Sequence, residues 1–317
     1  MSLRCAICGG ACRPFLDQLY DDRHGYPGRF DLAECADCGH RQLDATFTDA
    51  ELVRLYSDYY PRRVAPAADF APHRETQGPR AWLDGDASGA FRWVPPRVRV
   101  LDIGSGAGRA LAYHQARGCE AWGVEADENA RAIAERHGLH VRIGTFDPAL
   151  FEPGSFDYVT LDQVIEHAGD PVAFLRGAAS LLRPGGHAIL TTPNSRGWGA
   201  RLFGRRWINW HVPYHLHQFS RASLARLARG AGLEISSLRT LTHSSWLLYQ
   251  WLHLMSRPPA SVPSAFWDPA RSPLRLPHWR RRLAALLDDL QVNRLATRAM
   301  DALGAGDNFL CILGKAA

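Results

Sequence analysis

Residues 98 to 118 constrain the fold of this chain more than any other stretch. Val98-Arg-Val-Leu-Asp-Ile103 is an apolar run of strand length. Glycines follow at 104, 106 and 108, and Arg109 to Arg117 has helical character and stops at Gly118. The same alternation continues. Ala121 to Glu125 predicts a strand, Glu128 to His137 a helix ended by Gly138, and Val141 to Ile143 a short strand. Phe156 to Leu161 predicts another strand, Pro171 to Leu182 a helix closed by Arg183-Pro-Gly-Gly186, and His187 to Thr192 a fifth strand. Strands alternating with helices imply an α/β, doubly wound parallel sheet, which binds ligands at the carboxyl ends of its strands.

The turn Asp102-Ile-Gly-Ser-Gly-Ala-Gly108 is the first chemical signal. Glycines there let a ligand approach the backbone where any Cβ would obstruct it. Glu125 ends the next strand about 20 residues on, where an acid accepts hydrogen bonds from a ribose diol. A dinucleotide fingerprint needs Gly-x-Gly-x-x-Gly, but here the third glycine comes one position early and Arg109 stands where glycine is required. Together with Gly154-Ser-Phe-Asp157 and Leu182-Arg-Pro-Gly-Gly186, in this order and spacing, residues 97 to 195 resemble the class I S-adenosylmethionine-dependent methyltransferases. The resemblance implies a Rossmann-like methyltransferase sheet. It implies that Asp102, Gly104, Gly106 and Gly108 line the methionine and adenosine parts of the cofactor. It also implies that Glu125 holds the ribose, that Ala126, Thr145 and Phe146 flank the adenine, and that Asp162 and Gln163 border the methionine end.

Two histidine-bearing segments follow. Gln163-Val-Ile-Glu166-His167 places an acid and an imidazole at the mouth of the cleft, and His167 can take a proton near working pH. Some ubiquinone-pathway relatives bind a divalent metal with a similar Glu-x-x-Glu-His run; here the first acid is Gln163. Trp207 to Ser220 is dense in histidines and large aromatics, and it resembles the acceptor-facing segment of small-molecule and sugar methyltransferases. His167, His215 and His217 are the candidate general bases; the structural alternative is an aromatic and histidine packing layer that closes the cleft. Arg196, Arg201, Arg205 and Arg206 precede this segment, and arginine forks suit an anionic acceptor such as a nucleotide-linked sugar.

Five of the seven cysteines lie in the first 38 residues. Cys5-x-x-Cys8 and Cys35-x-x-Cys38 have the spacing of a four-thiolate zinc ribbon, with no open position for catalysis. Zinc modules also precede some RNA methyltransferases, but residues 1 to 60 hold six Arg, no Lys and ten Asp or Glu, a balance of −4. A phosphate-binding module is basic, so nucleic acid is disfavoured as partner. The tyrosine-rich stretch from Glu51 to Tyr60 has helical character, and in relatives such a segment covers the cofactor, which makes Tyr60 the lid candidate.

The chain therefore divides into a ribbon at 1–60, a linker with lid helices at 61–96, a methyltransferase core at 97–242, a helical insertion at 243–302 and a final core strand at 303–317. Within the insertion, residues 243 to 282 carry six Arg against Asp268, and Trp279 to Met300 is predicted to form one amphipathic helix. Such a helix packs on its own domain, on a second subunit in a homodimer, or on an anionic membrane surface. No apolar run approaches the roughly 20 residues that span a bilayer, and cysteines stand where a signal peptide is apolar, so a cytoplasmic protein is expected. The function expected is methyl transfer from S-adenosylmethionine to a hydroxyl of a small polar acceptor, a sugar or nucleotide-linked sugar. An RNA methyltransferase guided by the ribbon and a non-catalytic cofactor-binding scaffold are the alternatives.

Overall fold

The computed structural model describes residues 3–48, 51, 54–60 and 70–316. Residues 61–69, the first part of the expected linker at 61–96, and positions 52 and 53 of the expected lid helix lie outside the described residues. The amino-terminal module forms three antiparallel strands, β1 (Cys12–Leu19), β2 (Phe30–Cys35) and β3 (Arg41–Leu43). Leu55–Tyr59 forms a short wide helical turn, and α1 (Gly78–Asp84) follows.

The core begins with β4 (Arg99–Ile103), α2 (Arg109–Ala116), β5 (Glu120–Glu125), α3 (Ala130–His137) and β6 (His140–Ile143). It continues with β7 (Phe156–Asp162), α4 (Pro171–Leu181) and β8 (Leu182–Pro193). Val100, Leu101, Val159 and Leu161 are fully buried, as parallel strands covered on both faces require. Local signals set the helix ends. Gly138 takes a left-handed conformation after α3, and the Asp170 side chain accepts from Val172 N and Ala173 N at 3.0 and 2.9 Å at the start of α4. The expected turn at Arg183–Gly186 lies inside β8 as an irregularity, between the pairs Phe156–Leu182 and Tyr158–His187.

Further along come α5 (Trp198–Phe203), β9 (His217–Gln218), α6 (Arg221–Gly230), β10 (Glu234–Thr240) and β11 (Asn308–Gly314). The main sheet has the order β10-β11-β8-β7-β4-β5-β6, and β11 runs antiparallel to both of its neighbours. This is the expected α/β methyltransferase sheet, with the chain between β10 and β11 enlarged into an insertion. The insertion holds α7 (Ser245–Met255), α8 (His278–Asp289) and α9 (Val292–Ala302). The single helix expected over Trp279 to Met300 is therefore two. Gln291 turns left-handed between them (φ 58°), which brings Asn293 Oδ1 to the indole N–H of Trp251 at 3.1 Å. Trp279, Leu286, Leu290 and Leu295 remain more than half exposed on these helices. No helix among the described residues is long and apolar enough to cross a membrane.

Sequence periodicity did not foresee β9. This two-residue strand pairs with β3, so Gln42 faces His217 and Arg41 faces Gln218. The histidine-rich segment thereby becomes the fourth strand of the amino-terminal sheet. Arg41 reinforces the joint: its Nη1 donates to Ser195 O at 2.6 Å and its Nε to Glu34 at 2.8 Å.

Candidate active site

At the carboxyl end of β4 the chain turns through Gly104, Gly106 and Gly108, all at positive φ. A Cβ at Gly108 would stand 2.5 Å from Leu139, whereas one at Gly106 would meet nothing within 4 Å. Gly106 thus leaves room for a ligand, and its N–H donates to Glu125 Oε2 at 2.7 Å. The other oxygen of Glu125 accepts from Asp127 N at 2.8 Å. A cavity of about 230 Å³ opens beside this turn, walled by Asp102, Gly104, Ser105, Ala107, Arg109, His73, Phe91 and Asp162. Asp102 accepts from the Thr160 hydroxyl at 2.6 Å. Burial, and then the nearby Asp162 and Glu125, push its carboxyl up to about 7. Burial also raises Asp162, which accepts from Ala90 N at 3.1 Å.

Converging buried carboxylates favour a cationic ligand, and a sulfonium with an α-ammonium group is one. A cation prefers ionised Asp102, so binding drives off its proton whenever pH is below about 7. S-adenosylmethionine affinity is therefore expected to rise as pH goes from 6 to 8. Calorimetry at pH 6.5 in buffers of different ionisation enthalpy will report proton release, and Asp102→Asn will remove it.

Asp162 and Gln163 also wall a second cavity of about 420 Å³. The linker side contributes His73, Arg74, Asp86, Phe91 and Arg92, and the start of the insertion contributes His243, Ser245, Trp246 and Tyr249. Gln163 sits at φ 58°, and its amide donates to Thr191 Oγ1 at 3.0 Å and Asn308 Oδ1 at 2.8 Å. His73, Phe91 and Asp162 belong to both cavities, which are therefore neighbours across a shared wall. None of these linker and insertion residues was singled out as a site residue from sequence. The available signal was positional: His243 follows the carboxyl end of β10, at the same end of the sheet as Asp162 at the end of β7.

The three candidate bases lie elsewhere; neither cavity is lined by His167, His215 or His217. His167 and His215 pack edge to face, with ring centroids 4.8 Å apart. Their Nδ1 atoms donate to Tyr214 O at 2.9 Å and Asn209 O at 2.8 Å, which leaves each Nε2 as a lone pair. Burial lowers both imidazoles, His167 to about 4. Glu166 is buried beside them and accepts from the Thr192 hydroxyl at 2.9 Å, while its Oε1 has no partner among the described residues. Burial pushes this carboxyl up to about 8. Glu166, His167 and His215 present ligand atoms within 4.8 Å of one another and can hold a metal ion. His217 is separate from this group, and its Nδ1 meets Nε2 of the ribbon's His40 at 3.1 Å.

Tyr60 lies in the same seam, with its ring centroid 5.1 Å from Tyr214 and 5.6 Å from His24. Phe146 turns inward onto Phe174 at 5.1 Å, while Ala126 and Thr145 are exposed. None of these four lines either cavity. Cys5, Cys8, Cys35 and Cys38 come together as expected from their spacing, with Sγ pairs at 3.5 to 3.6 Å. A tetrahedron with metal–sulfur bonds of about 2.3 Å has edges of roughly 3.8 Å, so the four sulfurs suit one ion.

Fold and cleft together define a class I S-adenosylmethionine-dependent methyltransferase. A family model described as a methyltransferase domain matches residues 54–238, more than half of the chain, and the chain belongs to that family. The ubiquinone biosynthesis O-methyltransferase of Ralstonia nicotianae is 30% identical over 219 residues, covering 64% of this chain and 89% of that protein. The protein of the same description from an Azoarcus species is 30% identical over 214 residues, covering 63% and 89%. Among solved structures, phosphoethanolamine N-methyltransferase 2 of Haemonchus contortus, in complex with S-adenosylmethionine, aligns with a TM-score of 0.49. It is 20% identical, and the alignment covers 83% of this chain and 59% of that one.

Proposed function

We propose that this enzyme transfers the methyl group to a hydroxyl of a small polar acceptor seated in the 420 Å³ cavity, with sugars and nucleotide-linked sugars as the leading class. The observation that carries this is the wall shared by the two cavities at His73, Phe91 and Asp162, which sets an acceptor beside the cofactor cleft. Relatives described as O-methyltransferases support oxygen as the target. S-adenosylmethionine supplies an electrophilic methyl on a sulfonium sulfur when bound. The chain's part is to hold it through Glu125, Asp102 and the glycine turn, with Ala126, Thr145 and Phe146 toward the adenine and Tyr60 closing the side. Asp162 and Gln163 orient the acceptor, and a histidine takes its proton. His167 and His215, with free Nε2 lone pairs, suit that role for an acceptor that reaches past Gln163. His217 suits it least, because His40 engages its ring.

Zinc is the ion we infer for the four cysteines, closed and structural. Its place in the function is the β3–β9 joint, through which the ribbon holds the histidine-rich segment against the core.

The test is transfer of a labelled methyl group to panels of nucleotide sugars, free sugars, hydroxy acids and RNA. Methyl ether formation on a small acceptor, with no label in RNA, supports the proposal. Label in RNA alone, or in none of the acceptors despite tight cofactor binding, contradicts it.

A further inference from the structure

We propose that Asp86, His243 and Ser245 form the proton relay of the acceptor cavity, and that Arg92 anchors an acidic group carried by the acceptor. This rests on the methyl transfer proposed above and replaces the buried histidines by one already on the cavity wall. His243 and Ser245 stand at the start of the insertion and Asp86 stands just after α1, so the relay is assembled across the mouth of the cleft from two distant parts of the chain. The backbone N–H of Ser244 donates to Asp84 O at 2.8 Å and ties the two segments together.

The hydrogen bonds set the tautomer. Ser245 N points its hydrogen at His243 Nδ1 from 3.3 Å, which requires that nitrogen to be unprotonated. The ring hydrogen then sits on Nε2 and faces Asp86 Oδ1 at 3.2 Å. The Ser245 hydroxyl, 2.7 Å from Nδ1, donates to it, and Ser245 lines the cavity. An acceptor hydroxyl placed on Ser245 Oγ can lose its proton there as the Ser245 proton passes to Nδ1. The acceptor oxygen forms its bond to the methyl carbon while the methyl–sulfur bond breaks, and the sulfur leaves as a neutral thioether. The imidazolium that results is held by Asp86, a positioning residue, and returns its proton to water. The side chains of His243 and Asp86 are 36% and 22% exposed, open enough for that return.

Arg92 supplies the second half of the site. Arg92 lines the cavity; its Nη2 donates to Thr76 O at 3.0 Å, while its Nη1 is buried with no hydrogen-bond partner among the described residues. Unpaired buried donors are rare, and a guanidinium fork is shaped for carboxylate or phosphate. Arg74 adds a second positive charge to the wall, and His73 stacks flat on Phe91 at 4.4 Å and 8°. The charged and titratable groups facing His243 across the cavity are therefore Asp86, Asp162, His73, Arg74 and Arg92. An acceptor bearing both a hydroxyl and an acidic group satisfies the relay and the arginine together.

The first test uses the full chain without cofactor. In ring-nitrogen NMR of labelled histidine, the signal lost in His243→Ala is expected to be the Nε2–H tautomer. Inorganic pyrophosphate as probe is expected to shift that signal in the wild type and not in Arg92→Ala. An Nδ1–H tautomer, or an equal shift in both proteins, overturns the assignment. The second test uses an acceptor from the methyl-transfer screen. His243→Ala is expected to lower turnover about 100-fold, the range of a general base, with S-adenosylmethionine affinity unchanged. Asp86→Asn is expected to lower kcat with KM unchanged, as a positioning residue should, while Arg92→Ala raises KM for acidic acceptors. Full turnover in His243→Ala overturns the relay while leaving methyl transfer standing. Loss of cofactor affinity in Arg92→Ala overturns the anchor by assigning the guanidinium to the cofactor's own carboxylate. If the wild type methylates nothing in the panels, the proposed function fails, while the NMR result still decides the geometry.

Discussion

Cys35→Ser combined with Cys38→Ser is expected to abolish methyl transfer while leaving S-adenosylmethionine affinity within about a factor of ten, ~1.4 kcal/mol. The reason is topological. The ribbon is a small module whose cysteines provide its own compact cluster, and such modules lose their fold with their metal. Among the described residues β3 is the one strand paired with β9, and ribbon residues Leu32 and Leu43 share a core with Trp210 and Tyr214 on which Trp246 and Tyr249 of the acceptor wall pack, so the loss loosens that wall. Arg41 then loses its place between Glu34 and Ser195 O. The glycine turn, Glu125 and Asp102 belong to the other sheet and keep their partners. Zinc analysis, expected to give one ion per wild-type chain, can be read beside calorimetry and turnover on the same samples. A variant that loses cofactor binding as steeply as turnover would mean that the ribbon supports the whole core and not the acceptor side.

Glu125→Ala carries the other large effect. Its carboxylate holds Gly106 N and Asp127 N at 2.7 and 2.8 Å, so it shapes the turn before any ligand arrives. Removing a charged hydrogen-bonding partner costs about 2–3 kcal/mol, roughly a 30- to 150-fold rise in Kd for S-adenosylmethionine. Glu125→Gln keeps the shape and loses the charge, and is expected to fall between the wild type and alanine. Thermal melting of the variants separates the two causes, since a damaged turn lowers Tm without ligand and a lost ribose contact does not.

The core was legible in the sequence because each strand and helix there carries its own punctuation. Gly118 and Gly138 end helices, Asp170 and Ser220 start them, and the apolar runs of β4 and β7 need no partner to be recognised. The four cysteines were legible because thiolate spacing is a local property. Less legible was everything that depends on meeting a distant segment. β9 is two residues long and exists only because β3 lies beside it. The single helix expected after Trp279 is broken at Gln291, where tertiary contacts of Asn293 and Arg294 prevail over an uninterrupted amphipathic pattern. The histidines singled out by density form buried contacts with one another and with His40, while His243, isolated in sequence, lines the cavity beside Asp86, a residue 157 positions away.

One calorimetric experiment addresses the central claim directly: titration of the wild-type protein with S-adenosylmethionine and, separately, with NAD. The third glycine, one position early for a pyrophosphate, and the buried carboxylates Asp102 and Asp162 predict micromolar binding of S-adenosylmethionine with proton release below pH 7, and no binding of NAD. Binding of NAD alone, or of neither ligand to folded, zinc-loaded protein, would contradict the assignment of this cleft to a methyl donor.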